Sequence, residues 1–185
     1  MPVPSLPLSA AIVAGLLLGA AWLSPLAMAD PGDPGDPPAP PTPGAVQDPP
    51  GPPSSLLDSL SKGYSPSNCT AQQTVAGVAA MQCGQNADQN GPIFAKYVQL
   101  PSAAVLKSSF ANSISADTLT NCGDAKSPTS YHVGTNTAPA GVVACGTYQD
   151  HAEVLWTIDE KNIMGLVRSA NPDVGALYQW WRDNS

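Results

Sequence analysis

The residues of this 185-residue chain whose types suit acid–base catalysis lie around one histidine. His151 stands between Asp150 and Glu153, so an imidazole and two carboxylates fall within four residues. Imidazole and carboxylate groups can take up and release protons during a reaction, which is the task of a general acid or base. Polar turns between strands commonly contain the same residue types. We therefore expect no catalytic residue here, and an enzyme that uses His151 with Asp150 or Glu153 is the alternative.

The other histidine, His132, lies in a polar segment, and we interpret it as a surface residue. A metal site would require His, Cys or carboxylate ligands clustered at a fixed spacing, and the sequence contains no such cluster. It also contains neither the Gly-x-Ser-x-Gly motif of hydrolases nor a glycine-rich phosphate-binding loop. The sequence thus predicts no bound metal, no cofactor and no enzymatic activity.

Four cysteines are the remaining residues with distinctive chemistry: Cys69, Cys83, Cys122 and Cys145. Cys83 and Cys145 each end a short apolar run and precede a glycine, and each has another cysteine upstream. An even number of cysteines without a leftover thiol is typical of disulfide-bonded domains in oxidising compartments. We expect two disulfides, for which four cysteines allow three pairings.

Residues 1–29 are typical of a signal peptide. An uncharged apolar run at residues 10–23 precedes Ala27-Met28-Ala29, which matches a small-x-small cleavage site. The run is shorter than the roughly 20 residues that span a bilayer. No Lys or Arg precedes the run, which is atypical of a signal peptide. An uncleaved N-terminal anchor is the alternative. The sequence predicts export from the cytosol, where cysteines oxidise, and no membrane span in the mature chain.

Residues 30–53 are expected to form a disordered linker. Eleven of residues 31–53 are proline, and glycine and aspartate make up much of the rest. This composition cannot bury a core, and proline favours an extended polyproline II conformation.

Residues 54–185 contain seven basic and ten acidic residues, and the basic residues do not form a stripe. The charge pattern therefore predicts neither nucleic acid nor an anionic lipid surface as a partner.

The elements that would position these side chains fall within residues 54–185, where strand and helix patterns alternate. The composition of residues 124–139 predicts a long loop that contains His132. We expect an α+β domain: an antiparallel sheet with helices packed on one face. Predicted strands cover residues 74–83, 93–100, 117–122, 141–148, 153–158 and 163–169, and predicted helices cover 54–62, 101–115 and the segment after Asn171.

The last predicted helix has an aromatic stripe at spacings of three and four residues. Val174, Leu177, Tyr178 and Trp181 share one face, which predicts that they belong to the core. Trp180 lies at the edge of this stripe. If it is exposed, it marks a contact site. Trp180 and His132 are therefore the candidate binding residues.

The two halves of the domain share an order of elements: cysteine, loop, apolar strand ending in Cys-Gly, further strands, and an amphipathic helix. The first half covers residues 69–115 and the second 122–183. This order predicts a duplicated unit. Duplication would pair Cys69 with Cys83 and Cys122 with Cys145.

Several segments resemble landmarks of a small secreted domain of mycobacteria and related actinobacteria. They are Gly-Tyr-Ser-Pro-Ser-Asn-Cys at 63–69, Gly-Val-Val-Ala-Cys-Gly at 141–146, Val-Leu-Trp-Thr at 154–157 and Leu-Tyr-Gln-Trp-Trp at 177–181. Similar domains occur alone and as the extracytoplasmic sensor part of membrane serine/threonine protein kinases. The resemblance covers about residues 55–183 and implies fold and location more than activity. The kinase motifs are missing from this sequence.

These observations favour a secreted, non-catalytic binding or sensor-like domain of the cell envelope, with an envelope ligand or protein as its partner. One alternative is an envelope enzyme that uses His151 with Asp150 or Glu153. The other is a purely structural secreted protein without a small ligand. Neither the ligand nor the oligomeric state follows from the sequence.

Overall fold

The computed structural model describes residues 51–185. The predicted signal peptide and residues 30–50 of the predicted linker lie outside the described residues. The described part contains eight strands, all paired antiparallel in one sheet, and three α-helices, so the α+β class and the antiparallel sheet are confirmed. In chain order the elements are α1 Ser54–Leu57, β1 Cys69–Gln72, β2 Ala79–Cys83, β3 Phe94–Gln99, α2 Ala103–Ile114, β4 Thr118–Thr120, β5 Thr129–Tyr131, β6 Gly141–Tyr148, β7 His151–Ile158, β8 Ile163–Arg168 and α3 Val174–Asn184.

The strand order across the sheet is β1-β2-β3-β8-β7-β6-β4, and β5 also pairs with β6. Two short strands share one side of β6 because β6 is eight residues long. Its first half pairs with β5 from Gly141 to Val143, and its second half pairs with β4 from Cys145 to Thr147. This arrangement places the segment after β5 next to the start of β6, close to the end of β7.

The helices cover both faces of the sheet, so the prediction that they pack on one face was wrong. Val154 and Trp156 of β7 pack in the cluster that contains Leu177 and Trp181 of α3. Leu155 points to the other face and packs with Phe110 of α2. Successive side chains of a strand alternate between faces. The consecutive apolar residues Val154-Leu155-Trp156 therefore require cover on both sides.

Several boundaries differ from those predicted. Residues 124–139 are not a continuous loop, because β5 lies within them. The predicted strand at 74–83 is shorter: β2 begins at Ala79, and the preceding residues turn the chain back from β1, with Gly77 at φ +79°. The predicted helix at 54–62 is a single turn without a side-chain cap. The last predicted helix, after Asn171, begins at Val174, and Asp173 caps it by accepting from the backbone N–H of Ala176 at 2.9 Å.

The hairpin between β6 and β7 explains where the strand that carries His151 begins. Tyr148 pairs with His151, which leaves a loop of two residues, Gln149 and Asp150. Both have positive φ values, +50° and +63°, as a type I′ turn requires. β7 therefore begins at His151, two residues earlier than the predicted start at Glu153.

Two disulfides are confirmed. Cys69 is bonded to Cys83, and Cys122 is bonded to Cys145, which is the pairing expected from duplication. All four cysteines lie in the core cluster on the α3 face. The duplication itself stays a prediction. α2 packs on the face opposite Cys83, whereas α3 packs on the same face as Cys145, so the two proposed halves differ in the placement of their helices.

Candidate functional site

The structure gives the residues of the candidate acid–base group different partners. The half-buried His151 has its Nδ1 atom 3.0 Å from the carbonyl oxygen of Ser169, so backbone holds the ring. Asp150 is exposed in the two-residue turn. Glu153 is only 3% exposed, and its carboxylate pairs with the guanidinium of Arg168. The partner that the structure gives Glu153 is therefore Arg168.

Arg168 is at the centre of a small ionic cluster on the α2 face. Its guanidinium carbon lies 5.6 Å from the ring centre of Phe94 and 5.4 Å from that of Tyr148. Asp117, just after α2, has a buried Oδ2 atom without a hydrogen-bond partner among the described residues. Burial, followed by the charge of Glu153, raises the pKa of Asp117 to about 6, and Arg168 opposes this shift. The cluster contains two carboxylates and one guanidinium.

A cavity of about 550 Å³ lies on the α3 face, between the segment after β5 and the C-terminal end of α3. Its lining includes the aromatic residues Tyr131, Trp156 and Trp181, together with the loop residues Val133 and Pro139. We call this cavity the aromatic groove. It has the size and the mixture of aromatic and polar lining that ligand sites typically have.

The aromatic side chains of the groove pack against one another. The ring centres of Tyr131 and Trp181 lie 5.1 Å apart in an edge-to-face arrangement, and those of Trp156 and Trp181 are 5.8 Å apart. Tyr178 stacks on the other side of Trp181 at 5.7 Å. Such contacts hold the rings in fixed positions. The groove is therefore built on a strand, β7, and a helix, α3, which are rigid elements.

Trp181, which lines both the groove and the neighbouring cavity, carries a polar group without a partner. Its Nε1 atom is buried and has no acceptor among the described residues. A buried donor without an acceptor costs about 1–3 kcal/mol, so a ligand with an acceptor oxygen would gain by reaching it. The Nε1 atom of Trp180 is also buried without a partner, but Trp180 packs against Tyr64, with ring centres 6.3 Å apart, and is not a lining residue of the groove.

Neither of the two candidate binding residues lines the groove. His132 lines a neighbouring cavity of about 440 Å³, which shares Tyr131, Val133 and Trp181 with the groove. Trp180 is half-buried and lines neither of these two cavities. A helix turns by about 100° per residue, so neighbouring positions face different surroundings. Trp181 rather than Trp180 therefore faces the groove.

Sequence reasoning missed Tyr131 as a site residue. Tyr131 is the last residue of β5, and its hydroxyl donates to the carbonyl oxygen of Thr157 at 2.8 Å. Burial, followed by the nearby carboxylates of Asp159 and Glu160, raises its pKa to about 12, so the phenol stays neutral at pH 7. The signal available in the sequence was a lone aromatic residue in a segment of otherwise polar composition.

The rim of the groove carries more negative than positive charge. Asp58, Asp159 and Glu160 line it, against the single cation Lys161. The ammonium group of Lys161 donates to the hydroxyl of Ser59 at 3.2 Å, and Asp159 accepts from the hydroxyl of Thr157 at 2.7 Å. Because like charges repel, this rim favours a neutral or cationic ligand over an anion.

A smaller cavity of about 370 Å³ lies on the opposite face, beneath α2. Leu106, Phe110 and Val142 make most of its lining apolar, and Lys107 and Asp159 stand at its edge. Neither of the unpartnered indole nitrogens belongs to its lining. The aromatic groove is therefore the better candidate for specific recognition.

Within residues 51–185, no group of three or more His, Cys, Asp or Glu side chains is arranged to hold a metal ion. In the same residues, no helix has both the length and the apolar character needed to cross a membrane. The chain matches no protein-family model, no curated protein and no solved structure.

Proposed function

We propose that this protein is a secreted, non-catalytic domain of the cell envelope that binds a neutral or cationic wall fragment in the aromatic groove. Two disulfides support a location outside the cytosol, since such bonds persist in oxidising compartments. The proline-rich composition of residues 31–53 suits a spacer that holds the domain away from a surface. The resemblance to extracytoplasmic sensor domains of actinobacterial kinases supports the same location.

The observation that carries the binding proposal is Trp181, which lines the groove and whose buried Nε1 atom has no acceptor among the described residues. Flat aromatic rings with a nearby polar donor suit a ligand that has both apolar and polar surfaces, as a sugar ring has. The excess of carboxylates at the rim makes an anionic ligand less suitable. A fragment that contains N-acetylated or amino sugars combines an acceptor oxygen with the required charge.

The test is a titration of the oxidised mature chain, residues 30–185, with neutral N-acetylglucosamine oligomers and cationic glucosamine oligomers, monitored by tryptophan fluorescence and thermal shift. Val133 is 61% exposed and lines the groove, so Val133→Arg places a bulky side chain at its entrance. Val75 is 75% exposed, lies in the β1–β2 turn and does not line the groove, so Val75→Arg is the matched control. We expect Val133→Arg to weaken binding by roughly tenfold or more and Val75→Arg to leave it unchanged.

Absence of any fluorescence change or thermal shift at millimolar fragment concentrations would remove wall fragments as the ligand. Equal loss in the two arginine variants would place the ligand elsewhere on the surface. The enzymatic alternative is tested in the same samples by searching for cleaved products. Turnover that disappears in His151→Ala would replace a binding function with a catalytic one.

A further inference from the structure

The first strand of the sheet, β1 at Cys69–Gln72, is an edge strand. It pairs with β2 on one side, and the strand order of the described residues has no neighbour on its other side. An edge strand presents a row of unpaired backbone N–H and C=O groups to any strand that approaches. The side chains of Thr70, Ala71 and Gln72 are exposed. Gly51, Pro52 and Pro53 line a cavity with Ala71 and Gln72, and no described strand pairs with the outer side of β1.

The register of the hairpin identifies the backbone groups that point outward. The N–H of Gly84 donates to the carbonyl of Asn68 at 3.0 Å, and these residues are opposite each other in the register that pairs Cys69 with Cys83. Hydrogen-bonded and non-hydrogen-bonded pairs alternate along an antiparallel ladder. The pairs of Cys69 and Ala71 are therefore non-hydrogen-bonded, and the backbone N–H and C=O groups of these two residues point away from β2.

The usual protection of an edge strand is missing here. Natural edges commonly carry charged side chains, proline or a bulge that prevents pairing with another chain. β1 has none of these residue types, and its register with β2 runs without interruption. The charge-free region extends well beyond β1: no Asp, Glu, Lys or Arg occurs in the 25 residues from 63 to 87. The Cys69–Cys83 disulfide links β1 to β2 and so fixes the register of the hairpin and the position of its outer strand.

We propose that β1 pairs antiparallel with β1 of a second copy of this chain, around a two-fold axis at Thr70. The outward groups of Cys69 and Ala71 then bond to those of Ala71 and Cys69 in the second copy, which gives four backbone hydrogen bonds. The two Thr70 side chains lie directly opposite each other, a favourable pair in antiparallel sheets. The two sheets join into one continuous sheet.

Charge favours a second copy as the occupant of this edge. Residues 54–185 carry ten acidic and seven basic side chains, so two copies have net negative charges that repel each other. The uncharged hairpin is where two identical negative molecules approach with the least repulsion. A charged strand of another protein would gain no attraction here, because residues 63–87 contain no charged side chain.

The experiment compares the oxidised mature chain, residues 30–185, with charged variants by sedimentation velocity over a range of concentrations. Thr70→Lys places two ammonium groups opposite each other at the axis, and Thr70→Glu places two carboxylates there. We expect the wild-type chain to form dimers as concentration rises and each variant alone to associate roughly tenfold more weakly or worse. An equimolar mixture of the two variants restores dimers, because opposite charges then face each other.

The matched control is Thr120→Lys, on the exposed strand β4 at the other end of the sheet, which should leave dimerisation unchanged. A wild-type chain that stays monomeric at millimolar concentration overturns the proposal. Dimerisation that survives Thr70→Lys but is lost in Thr120→Lys assigns the interface to the opposite edge and also overturns it. Wall-fragment binding is measured separately, so failure of either proposal leaves the other open.

Discussion

Glu153 and Arg168 lie directly opposite each other in the β7–β8 ladder, and the carboxylate of Glu153 pairs with the guanidinium of Arg168. The same arginine is opposite Phe94 in the β3–β8 ladder and lies over its ring. Three neighbouring strands therefore contribute to one cluster. Glu153 is nearly fully buried, and a buried charge is tolerated only when a partner compensates it.

Arg168→Met is expected to destabilise the fold by about 3–5 kcal/mol, because it leaves the buried carboxylate of Glu153 without its counter-charge. The free energy of unfolding from urea titrations at pH 7 measures this effect. Lys96→Met is the control, since Lys96 is an exposed cation on the adjacent strand β3 and should change stability by no more than about 0.5 kcal/mol. Equal changes in the free energy of unfolding for the two substitutions would contradict a stabilising role for the Glu153–Arg168 pair.

Asp117 should make stability fall as pH rises between about pH 4 and pH 6. Its pKa is raised from 3.8 to about 6, so between these values the folded state binds more protons than the unfolded state. This contribution is fully present below the unfolded pKa and is lost as pH rises through the folded pKa. Asp117→Asn removes a titrating group that faces Glu153 and Arg168. The difference in unfolding free energy between wild type and variant, measured from pH 3.5 to pH 7, should show this slope; a constant difference would contradict it.

Gly165→Ala should destabilise the sheet by about 1–3 kcal/mol. Gly165 is paired with Trp156, and a methyl group at this position would overlap Cζ2 of the indole. The ring, which forms part of the groove, would have to shift, and near-ultraviolet circular dichroism should report this. Gly175→Ala is the control, because the nearest atom would be 3.5 Å away and alanine is favoured in a helix. A loss of stability at Gly175 equal to that at Gly165 would argue against the steric explanation.

Each disulfide is expected to contribute about 3 kcal/mol to stability through the restriction of the unfolded chain. The cysteines are separated by 14 residues in one bond and by 23 in the other, so the two contributions should be similar. The double substitutions Cys69→Ala with Cys83→Ala, and Cys122→Ala with Cys145→Ala, test them separately in thermal unfolding. Melting curves that do not change in strong reductant would show that neither bond stabilises the fold.

Most individual elements could be predicted because their patterns are local. β6, β8 and α2 lie close to their predicted positions, since each has a continuous apolar run or a stripe at helical spacing. β5 could not be predicted, because its three residues, Thr129–Tyr131, form a strand only by pairing with β6. The length of α1 was predicted wrongly for a related reason. The apolar residues of segment 54–62 pack in the core, but the helix ends at Leu57.

The sequence by itself determined the α+β class and the two disulfides, because strand and helix periodicities and an even cysteine count are properties of short segments. Only the tertiary structure decided which face each helix covers, which tryptophan lines the groove and where Glu153 finds its counter-charge. Those outcomes depend on the order of strands in the sheet, which brings together residues far apart in the chain. Tyr131, Trp156 and Trp181 form one groove for this reason: β5, β7 and α3 meet around β6.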